Sequence, residues 1–281
     1  MDNEGNMNLK SMSKQYKKVL TIAGSDPSGG AGIQADIKTI SACGCYAMSA
    51  ITAIVDENTF EVKGVHPVPA SFVRGQIESV LSDIGADAVK IGMLHSSELI
   101  LAVKEALAPY NIRNIVLDPV MVATAGNDLL KQEAVRTLQH ELIPLTRIIT
   151  PNIPEVEVLS GQKIGSKEDM LAVIKSLSCN NKVSVLLKAG HLSDNELTDI
   201  FYNAETSEVL ELKASRIVSQ NTHGTGCTLS SAVASFLAHG FYLDDSVRKA
   251  KEYMTQAILH GADYEIGKGH GPVHHFFSFW K

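Results

Sequence analysis

The sequence predicts an α/β protein with a mainly parallel central sheet and helices on both faces. Short, nearly continuous apolar runs read as strands buried on both sides. Between them lie longer segments with apolar residues every three or four positions, the spacing of amphipathic helices. The two kinds of segment alternate along most of the 281 residues, as repeated strand–helix–strand units require.

Val19-Leu20-Thr21-Ile22-Ala23 is the first predicted strand, and Ile33, Ile37 and Ile40 mark the helix after it. Ser49 to Val55, rich in Ile, Thr and Val, reads as the second strand. Phe72, Ile77, Val80, Leu81 and Ile84 form a helical stripe ahead of a strand at Ala88 to Leu94. Leu99, Val103 and Leu107 mark a helix, Ile115 to Met121 a strand, and Val135, Leu138 and Leu142 a helix. Arg147-Ile148-Ile149-Thr150 is a short strand that stops at Pro151. Val156 to Leu159 continues a helix, Met170, Val173, Ile174 and Leu177 mark another, and Val183 to Lys188 is a strand. Two extended runs around Asn203-Ala204-Glu205-Thr206 suggest a hairpin within residues 198–218. Helices from about Cys227 to Leu237 and from Val247 to His260 close the chain. With no low-complexity linker and no internal repeat, the expectation is one domain, 18–281, behind a loose polar arm, 1–17. Ligands of such sheets bind at the carboxyl ends of the strands, so residues just after each strand are the functional candidates.

Composition narrows the function. The 25 Lys and Arg against 31 Asp and Glu give a net charge of −6, which argues against nucleic acid and anionic membrane as partners. A small anionic ligand needs only local amides and one or two cations. The cysteines, Cys43, Cys45, Cys179 and Cys227, form no Cys-x-x-Cys pair, which makes a structural zinc site or a disulfide framework improbable. No apolar run has the length of a membrane span. A soluble protein of a reducing, cytoplasmic compartment is the expectation.

Two glycine-rich loops carry chemical content. Ala23-Gly24-Ser25-Asp26-Pro27-Ser28-Gly29-Gly30-Ala31-Gly32 joins the first strand to the first helix and lets backbone approach a ligand closely; it is neither a Walker A loop nor a dinucleotide fingerprint. Asp36, one helical turn after Gly32, reads by itself as a solvated helix residue. Asn221-Thr222-His223-Gly224-Thr225-Gly226-Cys227-Thr228 opens a helix of small residues. Its converging amides and the helix start make an anion site suited to a transferring phosphate. Cys227 sits in that field, where a lowered thiol pKa would make it a general base or nucleophile; packing as a buried small residue is the alternative. Asn152-Ile153-Pro154-Glu155 fits a helix N-cap with glutamate at its third position, and equally a site where Glu155 faces hydrated Mg²⁺. Lys188 and Asp118 each end an apolar strand at the ligand edge. His270, His274 and His275 fit no metal motif and read as structural or solvent-exposed.

Taken together, these motifs resemble the hydroxymethylpyrimidine/phosphomethylpyrimidine kinases. The resemblance runs from the Gly24 loop through Asp36, then Lys90-Ile91-Gly92-Met93-Leu94, Asp118-Pro119-Val120-Met121, Thr150-Pro151-Asn152-Ile153-Pro154-Glu155 and His223-Gly224-Thr225-Gly226-Cys227-Thr228, to the tail Gly267-Lys268-Gly269-His270-Gly271-Pro272-Val273-His274-His275. It implies a ribokinase-like fold, ATP with Mg²⁺, and two successive phosphorylations of 4-amino-5-hydroxymethyl-2-methylpyrimidine in thiamine biosynthesis. By position it puts Gly24, Ala31, Asp36, Met93, Val120 and Cys227 around the pyrimidine. Asn152, Glu155 and Lys188 would face ATP and its metal, with Asp118 at the phosphate end. The amides from Gly224 through Thr225 and Gly226 to Cys227 would hold the transferring phosphoryl group. Insertions between units are short, which leaves no large lid; the family meets that need by dimerising, which implies a homodimer.

One position departs from the family. Where the resemblance leads one to expect Gln before Asn-Thr, the chain reads Val55-Asp56-Glu57-Asn58-Thr59. An ionised Glu57 accepts from the 4-amino group but cannot donate to a ring nitrogen. A protonated Glu57 or a protonated ring restores the pair. Pyridoxal, also a ring nitrogen heterocycle with a hydroxymethyl group, is the alternative substrate, and a non-catalytic pyrimidine-binding regulator a further one.

Overall fold

In the computed structural model, which describes residues 14–121, 132–189 and 196–280, the strand–helix alternation forms one eight-stranded sheet and a separate two-stranded ribbon. In chain order the elements are β1 (Lys18–Ala23), α1 (Gly32–Ala42), β2 (Tyr46–Ile51), β3 (Ala53–Glu57), β4 (Val62–Pro67), α2 (Ala70–Asp83), β5 (Ala88–Ile91), α3 (Ser97–Leu107) and β6 (Ile115–Leu117). There follow α4 (Gln132–Thr137), β7 (Ile148–Ile149), α5 (Ile153–Ser160), α6 (Lys167–Val173), β8 (Ser184–Leu187), β9 (Glu196–Asn203), β10 (Glu208–Ser215), α7 (Thr225–His239) and α8 (Leu243–Gly261). The large sheet has the order β10-β9-β8-β7-β6-β5-β1-β2. All pairs from β8 to β2 are parallel, and the predicted hairpin, β9–β10, extends the sheet antiparallel beyond β8.

Side chains alternate across the sheet and so build two cores. Leu20, Ile22, Val89, Ile91, Ile115 and Leu117 pack beneath α2 to α6. Val19, Ala88, Val116, Ile148 and Leu186 pack beneath α1, α7 and α8. The same parity puts Thr21, Lys90, Asp118, Thr150 and Lys188 on the α1–α7–α8 side at the carboxyl edge of their strands. Five polar groups are thus delivered by sequence alternation to the place where α7 begins.

Two expectations change. The predicted strand at Ser49 to Val55 is two strands: β2 ends at Ile51, buried Thr52 donates its N–H to Ala23 O at 2.9 Å, and β3 leaves the sheet. β3 pairs antiparallel with β4, a strand too polar and exposed to show an apolar run. The short insertions therefore do hold a small cover, although among the described residues no large lid. The strands expected at Ala88 to Leu94 and Ile115 to Met121 stop at Ile91 and Leu117, and their apolar remainders become loops at the ligand edge. Most of the expected N-terminal arm, residues 1–13, and Gly190-His191 lie outside the described residues. Among the described residues no helix is long and apolar enough to cross a membrane, and all four cysteines are free.

Candidate active site at the carboxyl edge of the sheet

The two glycine loops interlock at the start of α7. Gly224, the N-cap, takes a left-handed backbone (φ 77°), and a Cβ there would stand 1.8 Å from Gly30 O. Only glycine fits both the conformation and the contact. In the other loop Gly32 (φ 55°) brings the chain round so that Ile33 N–H donates to Gly24 O at 2.9 Å. No side chain caps α7, and its amide-rich first turn faces the sheet edge.

Two cavities meet here. The smaller, about 120 Å³, is lined by Gly24, Ser25, Val55, Met93, Val120 and Cys227, with Asp26, Glu57 and Lys90 as its charged groups. Thr52 steadies the Met93 loop, its hydroxyl donating to Met93 O at 2.8 Å. Gly24, Glu57, Met93, Val120 and Cys227 are thereby brought together. Ala31 and Asp36 are not on the wall. Ala31 spends its N–H on Asp26 Oδ2 at 2.6 Å. Asp36 is fully buried, which corrects the solvated reading. Its oxygens accept from Lys90 Nζ at 2.9 and 2.8 Å, from Thr21 Oγ1 at 2.6 Å and from Ser231 Oγ at 2.8 Å. Lys90 reaches the cavity and Asp36 stands behind it, so the cavity meets the positive end of the pair. Burial alone would lower the Lys90 pKa, but the charge and hydrogen bonds of Asp36, with Cys227 and Asp118 adding to them, raise it.

Beside Lys90 lies a second charged group that the sequence reading did not single out. Asp26 accepts from Ser28 N and Oγ, from Ala31 N, and from His223 Nε2 at 3.0 Å. Burial alone would raise Asp26, but these donors hold it well below the usual carboxylate range. Asp26 is therefore an acceptor, and His223 Nε2 carries the hydrogen between them. Glu57 Oε1 lies 3.8 Å from the same nitrogen. Burial and the Asp26 charge raise the Glu57 carboxyl. Among the described residues these three side chains are the one group spaced to hold a metal ion. Their hydrogen bonding argues against it: the Asp26 oxygens are engaged, and the shared histidine nitrogen has no lone pair to offer.

The larger cavity, about 770 Å³, opens on the other side of Cys227 and Val120, which line both. Asp118, Asn152, Glu155, Lys188, Gly224, Thr225 and Gly226 line it, so every phosphate-facing residue named from sequence reaches this wall. Lys188 Nζ donates to Asp118 Oδ1 at 2.9 Å, and Thr150 Oγ1 to the same oxygen at 3.1 Å. A Cβ on Gly226 would stand 3.1 Å from Asp118 Oδ2 and 3.3 Å from Lys188 Nζ, which fixes the helix start against the pair. Lys251, Asp199 and Arg216 also line this cavity, and no sequence motif marked them.

Asn152 and Glu155 do form the capping box of α5: Asn152 Oδ1 accepts from Glu155 N at 2.9 Å, and Glu155 Oε2 from Asn152 N at 2.8 Å. The same carboxyl lines the cavity. Burial, aided by Asp118 and opposed by Lys188, moves it up to about 7. Among the described residues no set of three ligand groups gathers around Glu155, and such a carboxyl suits a hydrated Mg²⁺ that takes its other ligands from water and phosphate.

The Cys227 thiol departs from expectation. Burial pushes it up to about 12; Lys90 and the Gly32 amide pull it down, while Asp36 and Asp118 oppose them. The helix start does not make a resting thiolate here, because desolvation is the larger effect.

A family model described as phosphomethylpyrimidine kinase matches residues 26–274. The hydroxymethylpyrimidine/phosphomethylpyrimidine kinase of Rhizobium meliloti is 46% identical over 93% of this chain and 98% of its own length. The thiamine biosynthesis bifunctional protein ThiED of Geobacter sulfurreducens is 45% identical over 92% of this chain, which spans 52% of that longer protein. Among solved structures, pyridoxal kinase from Staphylococcus aureus in complex with AMP-PCP and pyridoxal superposes with a TM-score of 0.84 at 35% identity, covering 94% of each chain. The backbone is thus that of the ribokinase-like kinases, with a mainly parallel sheet between two helical layers.

Proposed function

Because this chain belongs to the phosphomethylpyrimidine kinase family, we propose that it transfers a phosphoryl group from ATP to 4-amino-5-hydroxymethyl-2-methylpyrimidine and then to the monophosphate so formed, in thiamine biosynthesis. The observation that carries the reading is the first turn of α7, which stands between a ring-sized cavity and a larger cleft, with Cys227 on both walls. The ring lies in the smaller cavity among Gly24, Glu57, Met93 and Val120. ATP lies in the larger one against Asn152, Lys188 and the Gly224–Gly226 turn. Mg²⁺, when bound near Glu155, neutralises phosphate charge.

The residues divide the work. The α7 amides and Lys188 stabilise charge spread over the equatorial oxygens of the transferring group. Asp118 holds Lys188 in place. Cys227 takes the hydroxymethyl proton in the first step, which requires that the thiol first lose its own; Lys90 is the cation that favours this. In the second step the nucleophile is a phosphate with a second pKa of about 6, which needs little base help.

ADP formation from hydroxymethylpyrimidine, its monophosphate and pyridoxal, measured side by side, tests the reading. Turnover of both pyrimidines is expected, and ADP from pyridoxal alone would overturn it. Pyridoxal stands as the second reading because of the likeness to the Staphylococcus aureus enzyme. Cys227→Ala is expected to slow the first step about a hundredfold and the second far less; equal losses would reject the base role. Lys188→Ala should slow both. The exposed Ile54, Phe60, Tyr264 and Ile266 are apolar surface of the kind a homodimer covers, and light scattering decides that point. Residues 18–281 as one cytoplasmic domain complete the reading.

A further inference from the structure

The smaller cavity holds a charge imbalance, and this inference rests on the pyrimidine reading above. Lys90 and Asp36 cancel as a pair. Lys188, beyond Cys227, is cancelled by Asp118. What remains is Asp26 and Glu57, both negative when ionised, against His223 alone. With Asp36 counted behind Lys90, an ionised Glu57 leaves a net negative charge around a largely apolar cavity whichever state His223 adopts.

Glu57 is also the group best placed to meet a ligand. Asp26 is satisfied by four donors from its own loop and from His223. The Glu57 side chain makes no hydrogen bond among the described residues, and the nearest nitrogen that can pair with it, His223 Nε2, is 3.8 Å away. The other titratable groups near it turn to solvent: Asp56 beside it, Lys63 and His66 on β4, and His270 of the C-terminal segment are all exposed. Lys90 and the Cys227 thiol complete the charged and titratable wall.

A 4-aminopyrimidine presents a ring nitrogen next to an exocyclic amine. A neutral edge of this kind offers one acceptor and one donor, and an ionised carboxylate accepts only. One added proton resolves both the charge and the hydrogen bonding, whether it rests on the ring or on the carboxyl. We propose that Glu57 makes ring binding proton-linked: the cavity takes up one proton with each aminopyrimidine and holds it between the Glu57 carboxyl and the ring nitrogen beside the amine. The amine then donates to the second carboxyl oxygen. A pyridine ring without that amine forms one hydrogen bond fewer, so the same carboxyl selects the ring class.

Calorimetry of hydroxymethylpyrimidine binding to the full chain, in buffers of different ionisation heat, reads the proton directly. Above the titrations of the free ring and of Glu57, uptake near one proton per ring is expected, with Kd weakening about tenfold per pH unit. In Glu57→Gln, whose amide both donates and accepts, proton uptake and the pH slope of Kd should vanish while the ring still binds. Glu57 gives up no protein hydrogen bond in this change, and a melting curve confirms that the variant is folded. The same pyrimidine lacking the 4-amino group should bind native protein at least tenfold more weakly. Binding without uptake by the native chain, or uptake unchanged in Glu57→Gln, overturns the inference. ADP formation without uptake would sink this inference alone; proton-linked binding without ADP formation would sink the kinase reading and leave this one standing.

Discussion

At the scale of single residues, the most consequential object is an ion pair with no exposed atom. Lys90 and Asp36 are 0% exposed, and Asp36 receives two further donors from Thr21 and Ser231. A buried pair gives little net stability over apolar packing, but removing one partner leaves a charge with no counter-charge and costs about 3–5 kcal/mol. Lys90→Met should therefore lower the melting temperature sharply, whereas Lys90→Met with Asp36→Leu should recover most of the loss. If the pair exists to present a cation to the cavity, the recovered double variant will still turn over slowly. Melting and turnover measured on both variants check this, and a double variant with native turnover would remove the pair from the chemistry. Half of this arrangement was legible in the sequence. Lys90 interrupts an apolar strand at the parity of Thr21, Asp118, Thr150 and Lys188, a pattern visible without coordinates. Asp36 was not legible, since an aspartate on an amphipathic helix reads as solvated until its partner, 54 residues away, is placed against it.

At the scale of elements, the start of α7 is set by two glycines with different duties. Gly224 needs a left-handed backbone and lies against Gly30 O, so Gly224→Ala forces the two loops apart. Its cost should be several kcal/mol, by strain added to the clash. Gly226 sits within the helix, where alanine is the better helix former by about 1 kcal/mol. Its Cβ would approach Asp118 Oδ2 at 3.1 Å and Lys188 Nζ at 3.3 Å, displacing the pair without breaking the fold. Gly226→Ala should thus melt near the native temperature yet lose tenfold or more in turnover, while Gly224→Ala loses both. Thermal melts paired with ADP assays separate the two, and equal melting losses would refute this division. Glycine spacing made this loop readable in advance. The β3–β4 ribbon was not, because β4 lacks the apolar alternation that marks a strand and Thr52 ends β2 without a glycine or proline. The sign of the thiol shift was also beyond the sequence, since the helix start was visible while the extent of burial was not.

At the scale of the whole molecule, the chain's last segment ties distant parts of the site together. Asn221 Nδ2 donates to Gly261 O and Tyr264 O, both at 2.6 Å, and His223 N donates to Gly271 O at 3.0 Å. His270 N reaches Thr59 O at 2.8 Å, beyond the end of β3, and Tyr253 OH donates to His275 O at 2.6 Å. His275 itself is buried, with Nε2 3.1 Å from Thr228 Oγ1 in the first turns of α7. Burial, with Lys38 and His274 adding to it, brings its pKa down to about 3. Unfolded, a histidine titrates near 6.5. Between these values the unfolded chain binds a proton that the folded chain refuses, so stability is complete above about pH 6.5 and falls as the pH drops toward 3. The slope is about 1.4 kcal/mol per pH unit within that window. His275→Gln, which keeps a polar partner for Thr228, should cost some stability at pH 7.5 and then lose less than the native chain on acidification to pH 5. Denaturant unfolding at the two pH values measures both differences. Parallel losses would show that His275 is protonated in the fold and that acid sensitivity arises elsewhere. A smaller loss in the variant would tie the acid limit of the whole molecule to the segment that closes on α7.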